Sequence, residues 1–198
     1  MRRLRISFAL AAVMALTLAL PASAGAREKA PVNEFGTTIA TGGFISIDRN
    51  ADDVDVNIYL RDLNPGNAYT VWAVVWNIPS ECASDDGCVE DDLFVANNAI
   101  FFSGVGGVAN GGGVLNGNTV LVEGATQTGP FVNVGLTNAE GAEIHFVVQD
   151  HGPASDDAGT LMAQTGTFHG GCDSPAVDPE DRIWPTVCND PQATAFKP

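Results

Sequence analysis

Hydrophobic and polar residues alternate with a period of two along most of the chain beyond residue 36. This alternation is typical of β-strands with one buried face, and no stretch keeps the 3.6-residue period of a helix over about ten residues. The pattern predicts strands over residues 36–41, 44–47, 54–60, 69–78, 99–108, 114–122, 131–136, 142–149 and 160–168.

Turn-forming residues separate these segments, among them N-P-G at 64–66 and N-G-G-G at 110–113. Many short strands joined by Gly-rich turns are typical of sandwiches and barrels. We therefore predict an all-β fold, a single β-sandwich (Ig-like or jelly-roll-like) of about eight or nine strands cross-linked by disulfides. Residues 69–78 are nearly all apolar, which predicts a central strand covered on both faces.

The first residues have the three parts of a secretory signal peptide: a basic start, an apolar stretch and small residues before a cleavage point. The apolar run 6–20 is shorter than the roughly 20 residues that a membrane-spanning helix needs. We expect residues 1–26 to be a signal peptide, cleaved after Ala24 or Ala26, with no Cys there for a lipid anchor. The mature chain is then secreted or periplasmic, with no membrane span after cleavage.

Residues 27–198 are expected to form one domain, because about 170 residues suffice for one core and not for two. Its C-terminal part, residues 170–198, is rich in Pro and Asp and is predicted to be an irregular tail held by a disulfide.

The whole chain carries a net charge of −15. Removing residues 1–26 takes away three Arg and no acid, which leaves 6 basic against 24 acidic side chains, or −18. Such a field repels nucleic acid and anionic lipids and attracts cations. We therefore expect no nucleic-acid partner, and an unknown extracellular or envelope ligand.

The four cysteines, Cys82, Cys88, Cys172 and Cys188, suggest disulfides in an exported chain. Among three connectivities the sequence favours Cys82–Cys88 and Cys172–Cys188, because each pair closes a short polar loop at low entropic cost. No two cysteines have the two-residue spacing of a cysteine-type zinc site.

The three histidines are the most suggestive group for chemistry. Strand alternation places Glu143 and His145 on the face opposite the apolar Ile144, Phe146 and Val148. If strands 142–149 and 160–168 pair as a hairpin, His169 returns near this pair, and a sharp turn after residue 149 would add His151. A metal site of His145, His169, Glu143 and His151 would suit copper or zinc.

Calcium is the second cofactor hypothesis. Asp48, Asn50 and Asp52 match the first ligand positions of an EF-hand loop, but Asp53 stands where Gly is needed and Tyr59 where Glu is needed. The stretch 48–55 is therefore either a looser calcium-binding turn or a plain polar hairpin. The pairs at 85–86 and 91–92 permit the same loose coordination.

Catalytic signatures are missing from the sequence. G-V-G-G-V-A at 104–109 leads into N-G-G-G, which cannot open the helix that a dinucleotide site requires. No G-x-S-x-G occurs, and Ser103 and Ser155 have no identifiable base. Trp72 and Trp76 share one strand face, which predicts a packed surface or, alternatively, a carbohydrate-stacking platform.

Four phrases carry a resemblance: N-P-G-N-A-Y-T-V-W-A-V-V-W-N-I-P, D-L-F after Cys88, A-E-I-H-F-V-V-Q-D-H-G-P and T-F-H-G-G-C. Together they resemble a group of uncharacterised exported bacterial proteins, over roughly residues 54–172. The resemblance implies a compact β domain with paired cysteines and implies no activity. We therefore expect a non-enzymatic binding or structural module. The alternatives are a small secreted metalloprotein using the His/Glu site and a calcium-dependent adhesion module.

Overall fold

Eight antiparallel strands form the framework of the computed structural model, which describes residues 27–84, 87–89, 91–95, 99–125, 135–168, 170 and 188–198. The strands are β1 (Glu28–Glu34), β2 (Ala40–Arg49), β3 (Asp53–Leu60), β4 (Asn67–Trp76), β5 (Ala99–Val108), β6 (Leu115–Val122), β7 (Glu143–Pro153) and β8 (Asn189–Phe196). The helices are α1 (Asp92–Val95) and α2 (Ala158–Gly166), and a 3-10 turn covers Pro79–Glu81.

All eight strands belong to one sheet in the order β5-β4-β7-β8-β1-β2-β3-β6. Its two outermost strands approach each other, since the side chain of Val105 on β5 packs directly against Gly117 on β6. A Cβ at Gly117 would occupy the space of that valine, so glycine permits the close approach. The predicted all-β class is confirmed, in the form of one nearly closed antiparallel sheet.

The inner face of this sheet encloses the main core. On β7, Ile144, Phe146 and Val148 are fully buried, as the alternation predicted. They pack in one cluster with Ile47 of β2 and Val56 of β3. Burying an aliphatic or aromatic side chain of this size stabilises the fold by about 1.5–3 kcal/mol. The core therefore holds strands from both ends of the chain together.

The predicted central strand is confirmed as β4. It pairs with β5 on one side and with β7 on the other, and every residue from Ala68 to Trp76 is buried. Its outer face carries Trp72 and Trp76, each 2 % exposed, in a second cluster with Cys88 and other residues. The packed surface predicted for the two tryptophans is confirmed. The alternative of a carbohydrate-stacking platform is wrong, because both residues are almost fully buried and present no open ring face to solvent.

The strand predicted over residues 160–168 is wrong, because Ala158–Gly166 forms helix α2. Asp157 caps its first turn, with Oδ1 accepting from the amide of Thr160 at 2.8 Å. The helix packs on β4 and β5, where Thr165 lies directly over Gly106. The hairpin of residues 142–149 with 160–168 therefore does not form.

Strands β1 and β8 lie outside the segments predicted to be strands. The predicted strand 36–41 is mostly the turn between β1 and β2, and β1 itself precedes it. The prediction of an irregular tail is wrong for residues 189–196, because they form β8, which pairs along β7 and more briefly with β1. The predicted strand 131–136 lies mainly outside the described residues, and its last two residues are not in a strand.

The first disulfide is confirmed: Cys82 and Cys88 are joined with an S–S distance of 2.01 Å. Cys188 is also disulfide-bonded, and its predicted partner Cys172 lies outside the described residues. The predicted signal peptide, residues 1–26, lies outside them as well. Among the residues that are described, no helix is long and apolar enough to cross a membrane.

Candidate functional site

Glu143 and His145 meet on the outer face of β7, as their shared strand parity predicted. His145 Nε2 lies 2.7 Å from Glu143 Oε1. The same carboxylate oxygen accepts a hydrogen bond from the backbone amide of Cys88 at 3.0 Å. Glu143 is 2 % exposed, whereas the side chain of His145 is 25 % exposed. A buried carboxylate therefore holds a partly accessible imidazole in one orientation.

The protonation of His145 follows from this geometry. Nε2 carries the ring proton, because its neighbour Glu143 is an acceptor, and Nδ1 is then an acceptor itself. Burial lowers the pKa of His145 below 6.5, although the hydrogen bond to Glu143 and its charge act in the opposite direction. Lys197 lowers this pKa further. In the described part of the chain Nδ1 has no hydrogen-bond partner.

A cavity of about 280 Å³ opens beside this imidazole. The indole of Trp76 meets the ring of His145 edge to face, with centroids 4.7 Å apart. The indole Nε1 is buried and has no hydrogen-bond partner among the residues that the structure describes. The described residues that line the cavity are Phe35, Val74, Trp76, Leu93, His145, Val147 and Asp190. The wall is mostly apolar, with a few polar groups among hydrophobic side chains, as small-molecule sites usually are.

Several elements position these walls. Val74 and Val147 come from the paired strands β4 and β7. Leu93 comes from α1, whose first residue Asp92 accepts hydrogen bonds from the amides of Ala83 and Val89, each at 2.8 Å. Those bonds and the disulfide Cys82–Cys88 fix the loop that lies over the outer face of β4. The cavity is therefore built on the sheet, with one wall from the short helix that follows the cross-linked loop.

His151 has a separate environment. It lies six residues beyond His145 on the same strand, about 20 Å away at roughly 3.3 Å per residue. Its Nε2 lies 2.7 Å from Thr70 Oγ1 and its Nδ1 2.6 Å from the carbonyl oxygen of Gly170. Thr70 Oγ1 also accepts from Trp72 Nε1 at 2.8 Å. Both nitrogens of His151 are thus engaged in a buried network.

The predicted metal ligands are only partly brought together. Glu143 and His145 are in contact, whereas His151 lies in a separate hydrogen-bond network. His169 lies outside the described residues. The hairpin expected to return His169 to this pair is replaced by α2. Among the described residues, the one group with metal-ligand spacing is Cys82, Cys88 and Asp92. Its sulfurs form the disulfide and are not thiolates, so this group does not suit a metal.

The predicted calcium stretch is the turn between β2 and β3. Asp48 accepts from Arg27 Nη2 at 2.7 Å. Asn50 Nδ2 donates to Asp53 Oδ1 at 2.6 Å and to Asp55 Oδ2 at 3.2 Å. Asp53 and Asp55 therefore share a partner within the hairpin itself, and Asp48 is paired with a residue that precedes β1. Of the second acidic stretch, Asp92 organises its own loop, and residues 85–86 lie outside the described residues.

Sequence reasoning found the Glu143–His145 pair and missed the cavity around it. Phe35, Leu93 and Asp190 come from segments far apart in the chain, and none belongs to a motif. One signal was present in the sequence, because Phe35 stands alone among polar residues and Gly in a turn. In the structure this residue is 51 % exposed. Comparisons with protein-family models, with curated proteins and with solved structures find no match to this chain.

Proposed function

We propose that this chain is an exported, non-enzymatic binding module whose ligand is a small apolar molecule with a hydrogen-bonding group. The observation that carries the proposal is His145, which lines an apolar cavity and is held through its Nε2 by buried Glu143. Burying a carboxylate is costly unless it is hydrogen-bonded. Because Glu143 orients the imidazole of His145, there is a reason to keep a buried carboxylate at this position.

The polar groups of the cavity define what the ligand presents. A neutral imidazole offers an acceptor at Nδ1, so the ligand needs an O–H or N–H donor. A ligand hydroxyl or amine can supply this donor, whereas the indole Nε1 of Trp76 is too deeply buried to contact the ligand.

Binding accounts for the site better than catalysis. A histidine base needs a nucleophile or a reacting proton within about 3 Å. Within the described residues, the only side chain hydrogen-bonded to His145 is Glu143. The nearest cysteines, Cys82 and Cys88, are tied up in a disulfide.

The location and the finer architecture are part of the same proposal. The basic, apolar and small-residue segments before residue 27 support export. The disulfide Cys82–Cys88 supports an oxidising compartment. We infer a flattened, sandwich-like arrangement in which β1, β2, β3 and β6 face β4, β5, β7 and β8, because residues of both groups share one core cluster.

The test uses 2-(1-naphthyl)ethanol, a neutral aromatic alcohol, titrated calorimetrically into the chain without residues 1–26. Val147→Phe fills the cavity and should abolish binding. Val120→Phe makes the same change at an exposed valine on β6 and should leave affinity unchanged. His145→Ala should weaken binding about tenfold, the loss of one hydrogen bond of about 1.4 kcal/mol. Equal binding by the Val147→Phe variant, or no binding by the unmutated chain, refutes the proposal.

Metal analysis of the purified protein separates this proposal from the two cofactor hypotheses. Stoichiometric copper or zinc that is lost on His145→Ala would favour the metalloprotein. A calcium-dependent rise in melting temperature that is lost on Asp53→Asn would favour the adhesion module. Under the binding-module proposal neither effect occurs.

A further inference from the structure

A second, more open depression of about 440 Å³ adjoins the apolar cavity. Phe35 and Asp190 line both spaces, so the two lie side by side at these residues. The depression is also lined by Glu34 and Asp62, which come from the end of β1 and from the segment after β3. One space is therefore apolar and the next one is rich in carboxylates.

The carboxylates of Glu34 and Asp62 take part in no ion pair within the described part of the chain. Arg61 is the basic residue next to Asp62 in sequence. Its side chain lies beside Gly42, which follows the lining residue Thr41, and does not itself line the depression. Lys197 lies beside Glu143, in a different pocket. The depression thus presents negative charge next to an apolar wall.

We propose that the ligand of this site is an organic cation, with an apolar body in the cavity and a protonated amine over Glu34 and Asp62. The proposal rests on the proposed function and narrows its ligand to one charge class. Burial of the body supplies affinity, because apolar surface leaves water. The charge supplies selectivity, because an ammonium is attracted by the two carboxylates and an anion is repelled.

The experiment compares three probes with one naphthyl body: 2-(1-naphthyl)ethylamine, 2-(1-naphthyl)ethanol and 3-(1-naphthyl)propanoate. At low salt and pH 7 the amine should bind about five- to tenfold more tightly than the alcohol, and the propanoate more weakly than both. The preference should shrink to within about twofold in roughly 0.5 M NaCl, since the depression is open to screening ions.

Three variants test whether the preference for the amine over the alcohol comes from the depression or from the overall charge of the protein. Glu34→Gln and Asp62→Asn should each reduce the advantage of the amine while leaving the affinity for the alcohol unchanged. Asn suits position 62, because its φ is +61° and Asn tolerates this left-handed region. Asp156→Asn removes an exposed charge before α2 and should change neither affinity.

The outcomes separate the two proposals. An amine that binds no more tightly than the alcohol, while the alcohol still binds in the cavity, overturns the cation inference alone. An equal effect of Asp156→Asn and Asp62→Asn also overturns it, because the field of the whole protein would then be responsible. Failure of all three probes to bind overturns the proposed function as well.

Discussion

The hydroxyl of Tyr69 donates a hydrogen bond to a buried carboxylate, and removing this hydroxyl tests how much the bond stabilises the fold. Tyr69 is fully buried, and its Oη donates to Asp150 Oδ2 at 2.8 Å. Asp150 is 6 % exposed and accepts further hydrogen bonds from Asn67 Nδ2 at 2.9 Å and from the amide of Gly152 at 2.8 Å. Asn64 adds a longer bond of 3.3 Å. These donors are all neutral.

The substitution Tyr69→Phe removes one of these donors and leaves the ring in place. A hydrogen bond to a charged group contributes about 1.5–3 kcal/mol. The hydroxyl also accepts from the amide of Asn64, but that residue is exposed and water can replace the bond. We therefore expect the free energy of unfolding to fall by about 2–3 kcal/mol. This corresponds to a melting temperature lower by about 4–12 °C for a domain of this size.

The assay is urea unfolding of the oxidised protein, with Tyr59→Phe as the control. Tyr59 is the only other tyrosine; its ring packs 5.2 Å from that of Phe44, and its hydroxyl has no hydrogen-bond partner in the described residues. We expect the control to change stability by less than about 0.5 kcal/mol. Equal losses in the two variants would refute the role assigned to the Tyr69–Asp150 bond.

The ionisation of Tyr69 gives an independent check on the same bond. Burial, and next the hydrogen bond to Asp150, raise the pKa of Tyr69 well above its usual value. Because the folded pKa lies above the unfolded value of about 10, this contribution to stability is complete below pH 10 and declines above it. In the Tyr59→Phe variant, near-ultraviolet absorbance should therefore show no tyrosinate until the protein unfolds.

Two further predictions concern the site and the helix. Because burial lowers the pKa of His145, its ring resonances should titrate below pH 6.5 in NMR spectra. Its contribution to stability is complete above about pH 6.5 and should decline as the pH falls below that value. Titration above pH 6.5 would contradict the buried geometry of this ring. Gly106→Ala places a methyl group against the backbone of Thr165 and should destabilise the fold by about 1–3 kcal/mol in urea unfolding. In the control variant Gly111→Ala the added methyl group meets no atom within 4 Å, so this variant should keep its stability. Similar losses of stability in both variants would exclude close packing of α2 as the cause.

Prediction from sequence succeeded where one periodicity dominates. Ile144, Phe146 and Val148 alternate with polar residues, so the core face of β7 was evident, and Glu143 with His145 followed on the other face. The apolar run of β4 likewise required cover on both faces.

The failures have physical causes in particular residues. Helix α2 contains Thr and Gly, which weaken its pattern, and only the capping residue Asp157 marked its start. In β8 the inner positions include Gln192, which is buried because its amide donates to the carbonyl of Arg61 at 2.7 Å. A polar core residue satisfied by the backbone of a distant segment leaves no hydrophobic signal. The cavity depends on such long-range contacts and was therefore not predictable.

The position of β8 has a consequence for the order in which the domain forms. Although it is the last of the described strands in sequence, it lies between β7 and β1, and its pairing with both makes one sheet of the strands on either side. The pairing of Asn33 with Ala193 links residues 160 positions apart, and such distant pairing folds slowly because loop closure comes first. Until β8 is inserted, β7 and β1 are both open edges, which readily pair with other chains. The chain is therefore most exposed to pairing with other chains before this strand is in place.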